Sequence, residues 1–383
     1  MIGQKGIPVI YGGVERHVEQ LSLRLAQLGH QVTVYTRPYY TNSKLTHYKG
    51  IHLKSMPTWH RKNIDTILHT FLCTIDALRQ NYDIIHYHGV GPSLLSFIPY
   101  LLKPKAKIIT TFHAMDRLQK KWGVVAKIML HLGEWTATHM SDCTITVSQQ
   151  LLEYNHQKYP LRPIVYIPNG VSEQQPLKPE ETDRILKNFH LKKNDYILTV
   201  GRLIPDKGVH YLITAFNKLA TDVKLVIVGE SHFHSNYVQK LKKMIQDKDK
   251  VIFTGFQTGK ILQSLYENCR LYVHPSRQEG LPLTILEAMS YKKAVLASDI
   301  PQNMEIIKGI GASFKNQNID DLRRNLQQLL PAKEKLQILG ERGVERVRER
   351  YSWDDIVRQI DRLYISISTQ SRPKVAEQKK LHT

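Results

Sequence analysis

The chain has 383 residues, too many for one hydrophobic core, so two domains of roughly 170–200 residues are expected. Apolar residues make up 42 % and charged residues 23 %, which excludes global disorder, collagen-like repeats and a coiled coil. Lys and Arg number 54 against 34 Asp and Glu, and the resulting charge of +20, shared evenly by the two halves, points to polyanionic partners: phosphates, anionic lipid or nucleic acid.

Met1-Ile-Gly reads as the end of a strand. It is shorter than the about 5–6 residues of a central strand, so a start upstream is expected. Small and apolar residues at 18, 21, 22, 25 and 28 make Glu15–Leu28 a helix that Gly29 ends. Gln31–Thr36 alternates as a strand and Asp65–Leu78 reads as a helix. Asp83–His86, Lys107–Thr111, Thr144–Val147 and Ile164–Ile167 read as short strands. The polar, proline-bearing stretch 173–195 marks a linker running into a short helix. Strands then recur at Tyr196–Val200, Lys224–Val228, Val251–Phe253, Leu271–His274 and Ala294–Ala297. Helices alternate with them at Val209–Leu219, Val238–Ile245, Ile261–Glu267 and Ile285–Tyr291. This rhythm predicts an α/β protein of two Rossmann-like, doubly wound domains, with a cleft at the carboxyl ends of both sheets.

Cys73, Cys143 and Cys269 lie far apart without a C-x-x-C pair, which argues against a disulfide framework or a cysteine zinc site and for a cytosolic chain. Gly3, Lys5 and Gly6 interrupt any signal-peptide core. Ile84–Leu102 carries no charge, but His86, His88, Gly89, Gly91, Pro92 and Pro99 within it exclude a bilayer span.

Several segments carry candidate chemistry. Gly3-Gln-Lys-Gly6-Ile-Pro8 leads into Gly12-Gly13-Val14-Glu15 at a strand-to-helix junction. Glycines there let backbone N–H groups approach an anion, although an ordinary glycine turn fits equally. Gly201-Arg202 and Lys207-Gly208 follow the first strand of the second half, where a guanidinium and an ammonium together suit a diphosphate. Glu279-Gly-Leu-Pro-Leu-Thr-Ile-Leu-Glu287 is the strongest signal. Pro282 opens a helix whose N–H groups at Leu283 and Thr284 face an anion, and Glu287 one turn inside can accept from vicinal hydroxyls. His113 follows a strand and faces the expected cleft. His86 and His88 are read as pointing to opposite faces of their strand, hence as no metal pair. Asp247-Lys-Asp249 is read as a solvated turn, not a nucleotide–metal motif. Trp59/Arg61/Lys62, Arg117/Lys120/Lys121/Trp122 and Lys103/Lys105/Lys107 border apolar stretches, a pattern that suits an anionic membrane surface.

Read together, GGVE (12–15), FHAMD (112–116), PNGV (168–171), GRLIPDKG (201–208), TGF (254–256), HPSRQEGLPLTILEA (274–288) and the closing Tyr351-Ser-Trp353 resemble the retaining glycosyltransferases of family 4, which have the GT-B fold. The first half resembles a bacterial envelope or capsule polysaccharide branch. The resemblance implies an acceptor-binding domain at 1–172 and a nucleotide-sugar-binding domain at 173–352. It also implies a helix at 353–367 returning to the first domain, before a flexible basic tail at 368–383. It implies transfer of a sugar from a nucleotide diphosphate, UDP- or GDP-linked, to a glycan or lipid-linked acceptor, with retention and without metal or other cofactor. Arg202 and Lys207 would hold the diphosphate, Gly12 and Gly13 would approach it, and His113 would contact the transferred sugar. Glu279 would contact its hydroxyls, Glu287 the ribose, and Phe256 would edge the base. Ser172 and Ala114 depart from the family's aspartate and glycine at those positions. An epimerase of the same fold and a basic nucleic-acid-binding protein are the alternatives. The second lacks aromatics interleaved with basic residues, so no nucleic-acid partner is expected.

Overall fold

Strands and helices form where the apolar runs and amphipathic stripes fall. The structure, a computed structural model, describes residues 1–59, 64–115, 117, 122–231 and 235–370. Arg61, Lys62, Asp116, Lys120, Lys121 and the tail beyond residue 370 lie outside the described residues. The chain divides into two units, one comprising Met1–Asn169 together with the chain from Trp353 onward, the other Gly170–Ser352.

The first unit runs α1 (Gly13–Gln27), β1 (Thr33–Thr36), β2 (His47–Tyr48), β3 (Ile51–Ser55), α2 (Ile64–Arg79), β4 (Ile84–His88), α3 (Val90–Ser93), α4 (Phe97–Leu102), β5 (Lys107–Phe112), α5 (Val124–His139), β6 (Cys143–Thr146), α6 (Gln149–Lys158) and β7 (Ile164–Tyr166). Its strands pair in the orders β1-β3-β2 and β4-β5-β6-β7. Met1 and Ile2 join the two sheets. The Tyr35 N–H donates to Met1 O, the Ile2 N–H to His86 O and the His88 N–H to Ile2 O, at 2.8–3.2 Å. The Gly3–Gly12 loop and Gly89 thus leave the sheet side by side, at its point of reversal.

The second unit runs α7 (Pro179–Asn188), β8 (Tyr196–Val200), α8 (Val209–Asn217), β9 (Lys224–Val228), α9 (Ser235–Lys243), β10 (Val251–Gly255), α10 (Gly259–Asn268), β11 (Leu271–His274), α11 (Leu283–Ser290), β12 (Val295–Ser298), α12 (Pro301–Ile307), β13 (Ala312–Phe314), α13 (Ile319–Leu329) and α14 (Lys333–Arg350). Its strand order is β10-β9-β8-β11-β12-β13, all parallel, which is the Rossmann order. The order reverses between β8 and β11, so the loops that follow these two strands flank the switch point. Leu225, Ile227, Leu271, Val273 and Leu296 on the strands pack with Leu212, Ile213, Leu322 and Leu326 on the helices as one core.

The last helix, α15 (Trp353–Thr369), belongs to the first unit. It lays Trp353, Ile356, Ile360 and Tyr364 against Val18, Leu21 and Leu25 of α1. His30 pairs with Asp361 at 2.6 Å, and the Arg24 guanidinium lies 5.4 Å from the Trp353 ring.

Candidate active site

In the second unit, two glycines let the backbone close around the switch point. Gly229 ends β9 at φ +139°, and a Cβ there would sit 1.9 Å from Gly201 O. Gly208 takes a left-handed φ of +67°, and a Cβ there would sit 1.9 Å from Pro275 O. The β8–α8 and β11–α11 loops therefore pack backbone to backbone. The Arg277 N–H donates to Asp206 O at 2.9 Å, and the two side chains pair at 3.4 Å.

This packing brings Lys207 to Glu279. Lys207 Nζ donates to Glu279 Oε1 at 2.5 Å, Ser276 Oγ donates at 2.6 Å, and His274 Nε2 at 2.9 Å, all to the same oxygen. The other oxygen, Oε2, has no hydrogen bond among the described residues. The Glu279 side chain is only 8 % exposed. Burial pushes its carboxyl up, but Lys207 and His274 outweigh that and hold it well below the ordinary carboxylate range. A carboxylate accepts only, so His274 carries its proton on Nε2. His274 Nδ1 then accepts from Tyr272 at 3.2 Å and from Thr284 Oγ1 at 3.4 Å. Thr284 is thereby linked to Glu279 through one imidazole.

Pro282 caps α11, and the N–H groups of Leu283 and Thr284 at its open end have no partner among the described residues. Glu287 lies one turn deeper, 9 % exposed, and accepts from Tyr266 Oη at 3.0 Å. Tyr266 stacks on Tyr291 with centroids 5.5 Å apart. Arg202 is exposed just after β8, and its side chain has no hydrogen bond or ion pair among the described residues. Phe256 is 43 % exposed just after β10. The structure therefore joins Lys207, Glu279, Leu283, Thr284 and Glu287 around the β11–α11 loop. It leaves Arg202 and Phe256 standing separately, after β8 and β10, with β9 between these strands. Asp247 accepts from the Asp249 N–H at 3.0 Å in an exposed turn.

In the first unit, Gly12 caps α1 at φ +111°, where a Cβ would sit 1.8 Å from Glu15 Oε2. Glu15 accepts from the Lys5 N–H and Glu19 from the Val9 N–H, each at 3.1 Å, so α1 itself ties down the glycine loop. The start of α1 at Gly13 thus already has a carboxylate beside it. His113 follows β5 with Nε2 3.3 Å from His88 Nδ1. His86 and His88 share one face of β4 and stack at 4.2 Å, so the reading that puts them on opposite faces is wrong: residues two apart on a strand share a face. His17 of α1 completes a group with His88 and His113, their ligand-capable atoms all within 4.8 Å of one another. Burial pushes His17 down to about 4, and His88 and His113 well below the ordinary imidazole value.

Sequence reasoning missed His274, Ser276, Tyr266 and His17. Ser276 and His274 were legible as polar residues closing β11 just before Glu279. Tyr266 and His17 reach their places only through tertiary packing. Of the cations bordering apolar stretches, Lys103 binds the Leu78 and Gln80 carbonyls at the end of α2, and Lys107 is buried beside Asp142. Arg117 pairs with the buried Glu134, which Lys158 also holds at 2.6 Å. No helix among the described residues is long and apolar enough to cross a membrane.

Comparison with known proteins agrees with this architecture. Residues 11–175 match the model of Glycosyltransferase Family 4 and residues 181–346 that of Glycosyl transferases group 1. The chain is 28 % identical to an uncharacterized glycosyltransferase of Methanocaldococcus jannaschii, over 93 % of this chain and 95 % of that protein. It is 24 % identical to the gpi3 subunit of the Schizosaccharomyces pombe phosphatidylinositol N-acetylglucosaminyltransferase, over 97 % of this chain and 81 % of that one. The fold superposes on Anabaena HepE, solved with UDP and glucose, with a TM-score of 0.80 at 18 % identity, covering 95 % of this chain and 98 % of HepE. With both halves matched by glycosyltransferase models and folded as Rossmann-like units, the chain belongs to the GT-B glycosyltransferases that join a Family 4 domain to a group 1 domain.

Proposed function

We propose that the chain transfers a sugar from a nucleotide diphosphate, UDP- or GDP-linked, to a glycan or lipid-linked acceptor, with retention of configuration and without a metal. The observation that carries this reading is the Lys207–Glu279 pair beside the open N–H groups of α11, at the switch point of a Rossmann sheet. A cation and a helix start together take up the charge that develops on a leaving diphosphate. Lys207 has two further N–H donors beyond the one given to Glu279. Arg202, exposed and unpaired among the described residues, supplies the fork. Glu279 Oε2 accepts from the sugar hydroxyls and Glu287 from the ribose, while Phe256 edges the base. HepE, which shares the fold, binds UDP and glucose.

In the first unit, His113 contacts the transferred sugar as a neutral group, and the backbone at Gly12 and Gly13 approaches the donor. Neither carboxylate of the second-unit cluster is assigned as a nucleophile: Glu287 is engaged by Tyr266, and Glu279, with three donors on Oε1, gives Oε2 to the sugar hydroxyls. The reading is therefore same-face displacement, in which the leaving phosphate takes the acceptor proton. A lipid-linked acceptor and docking on an anionic bilayer, as in polysaccharide assembly at the cell envelope, find support in α5. That helix exposes Val124, Val125, Ile128, Leu132 and Trp135 along one stripe, and α4 exposes Leu101 and Leu102 beside Lys105. Co-sedimentation with phosphatidylglycerol vesicles tests the docking: binding lost in Val125→Glu/Ile128→Glu supports it, and no binding at low salt contradicts it. NMR of the sugar released when the chain is given donor alone tests the reaction. Free nucleotide with a monosaccharide of the donor's own anomeric configuration supports retaining transfer to water; an epimerised nucleotide sugar overturns it.

A further inference from the structure

We propose that His17, His88 and His113 form a binding site for one zinc ion. The three come from different elements, α1, β4 and the loop after β5, and their ligand-capable atoms lie within 4.8 Å of one another. His88 Nδ1 and His113 Nε2 are 3.3 Å apart. A tetrahedral zinc shell with Zn–N bonds of about 2.0–2.1 Å requires neighbouring nitrogens about 3.3 Å apart, so this pair already spans one edge.

The lone pairs are disposed to match. His88 Nε2 faces Met1 Sδ at 3.4 Å, and a thioether only accepts, so the His88 proton sits on Nε2 and Nδ1 turns its lone pair toward His113, whose Nε2 proton an incoming ion would displace. His17 is 2 % exposed, and neither of its ring nitrogens makes a well-formed hydrogen bond among the described residues, the side chain of Asn169 being its polar neighbour. A buried polar group without a well-formed hydrogen bond carries a desolvation cost that a metal bond would offset. His86, stacked on His88, is different: Tyr364 and Thr111 hold its two nitrogens at 2.6 Å each. It is committed, and the donor set is three imidazoles, which suits zinc and leaves a fourth position open. His113 is half-buried while His17 and His88 are buried, so the ion enters from the His113 side. Occupancy would also withdraw His113 from the sugar and so inhibit transfer. That consequence rests on the function proposed above, whereas the binding does not.

Equilibrium dialysis of the full chain against micromolar free zinc, followed by elemental analysis, tests the site. One ion per chain is expected, with cobalt as a substitute giving the intense visible absorption of a four-coordinate centre. His17→Gln, His88→Gln and His113→Gln should each weaken binding by about tenfold or more. Circular dichroism identifies variants that keep the fold, and His113, at the partly exposed edge, is the one whose replacement leaves the smallest buried gap. No bound zinc, a six-coordinate cobalt spectrum, or stoichiometric zinc that persists in a folded His113→Gln variant would each overturn the site. Transfer measured in metal-free buffer reports separately on the proposed function.

Discussion

Lys207 and Glu279 lie 72 positions apart in sequence and meet at 2.5 Å because the loops after β8 and β11 flank the point where the sheet order reverses. Each is held by the other's loop. A double-mutant cycle reads this coupling. Glu279→Gln and Lys207→Met should each destabilise the fold by about 1.5–3 kcal/mol, and the double variant should fall short of the sum by about 0.5–3 kcal/mol. Additive losses in chemical denaturation would mean that the two carry no mutual interaction.

The same pair sets a pH dependence. The Glu279 carboxyl in the folded chain lies below the 4.5 of an ordinary glutamate. Its contribution to stability is thus fully present above that value and is lost as pH falls below it. Acid unfolding of the wild type should be steeper below pH 4.5 than that of Glu279→Gln. Identical slopes would contradict the ion pair.

Arg202 and Lys207 separate binding from stability. Arg202→Ala should leave the melting temperature unchanged, since the side chain is exposed and without a partner among the described residues. Turnover should nevertheless fall, because loss of one such donor typically raises a barrier by about 2.7–4 kcal/mol. Lys207→Ala should lower both. The double variant should lose less than the summed effect on rate if both cations face one diphosphate. Strict additivity in the logarithm of rate would assign them to separate tasks.

Much of this fold was legible because its strands are short apolar runs and its helices carry apolar stripes. Tyr196–Val200, Lys224–Val228 and Leu271–His274 form strands at the limits that the sequence indicates. The β2–β3 hairpin was not: it turns on Lys49 and Gly50, both at positive φ, without the Asn-Gly or Asp-Gly pair that signals such turns. The helices α3 and α4 hide in an apolar run broken by Pro92 and Pro99. In the site, glycine, proline and acid spacing marks the α11 loop, but spacing says nothing about partners. That Lys207 donates to Glu279, and that three histidines from α1, β4 and the loop after β5 gather, depends on strand order, which only the folded sheet supplies.

Glu287→Ala should raise the KM for the donor by tenfold or more, the loss expected for a charged-group hydrogen bond of about 1.5–3 kcal/mol. Tyr266→Phe, which removes the hydroxyl that holds Glu287, should have a smaller effect in the same direction. An unchanged KM in Glu287→Ala would remove it from the ribose site.

If the function proposed above holds, turnover should survive EDTA, with Lys207, Arg202 and the α11 N–H groups as the counter-charge for the diphosphate. Activity abolished by chelator and restored by magnesium or manganese would require a metal at the donor.

Calorimetric titration with UDP- and GDP-sugars tests the central claim, that the switch point of the second unit holds a nucleotide-sugar diphosphate. One of them should bind the wild type at one site per chain, and Lys207→Ala, Arg202→Ala and Glu287→Ala should each weaken it by tenfold or more while remaining folded. Binding that none of the three changes, or no binding of either donor class, would contradict the account.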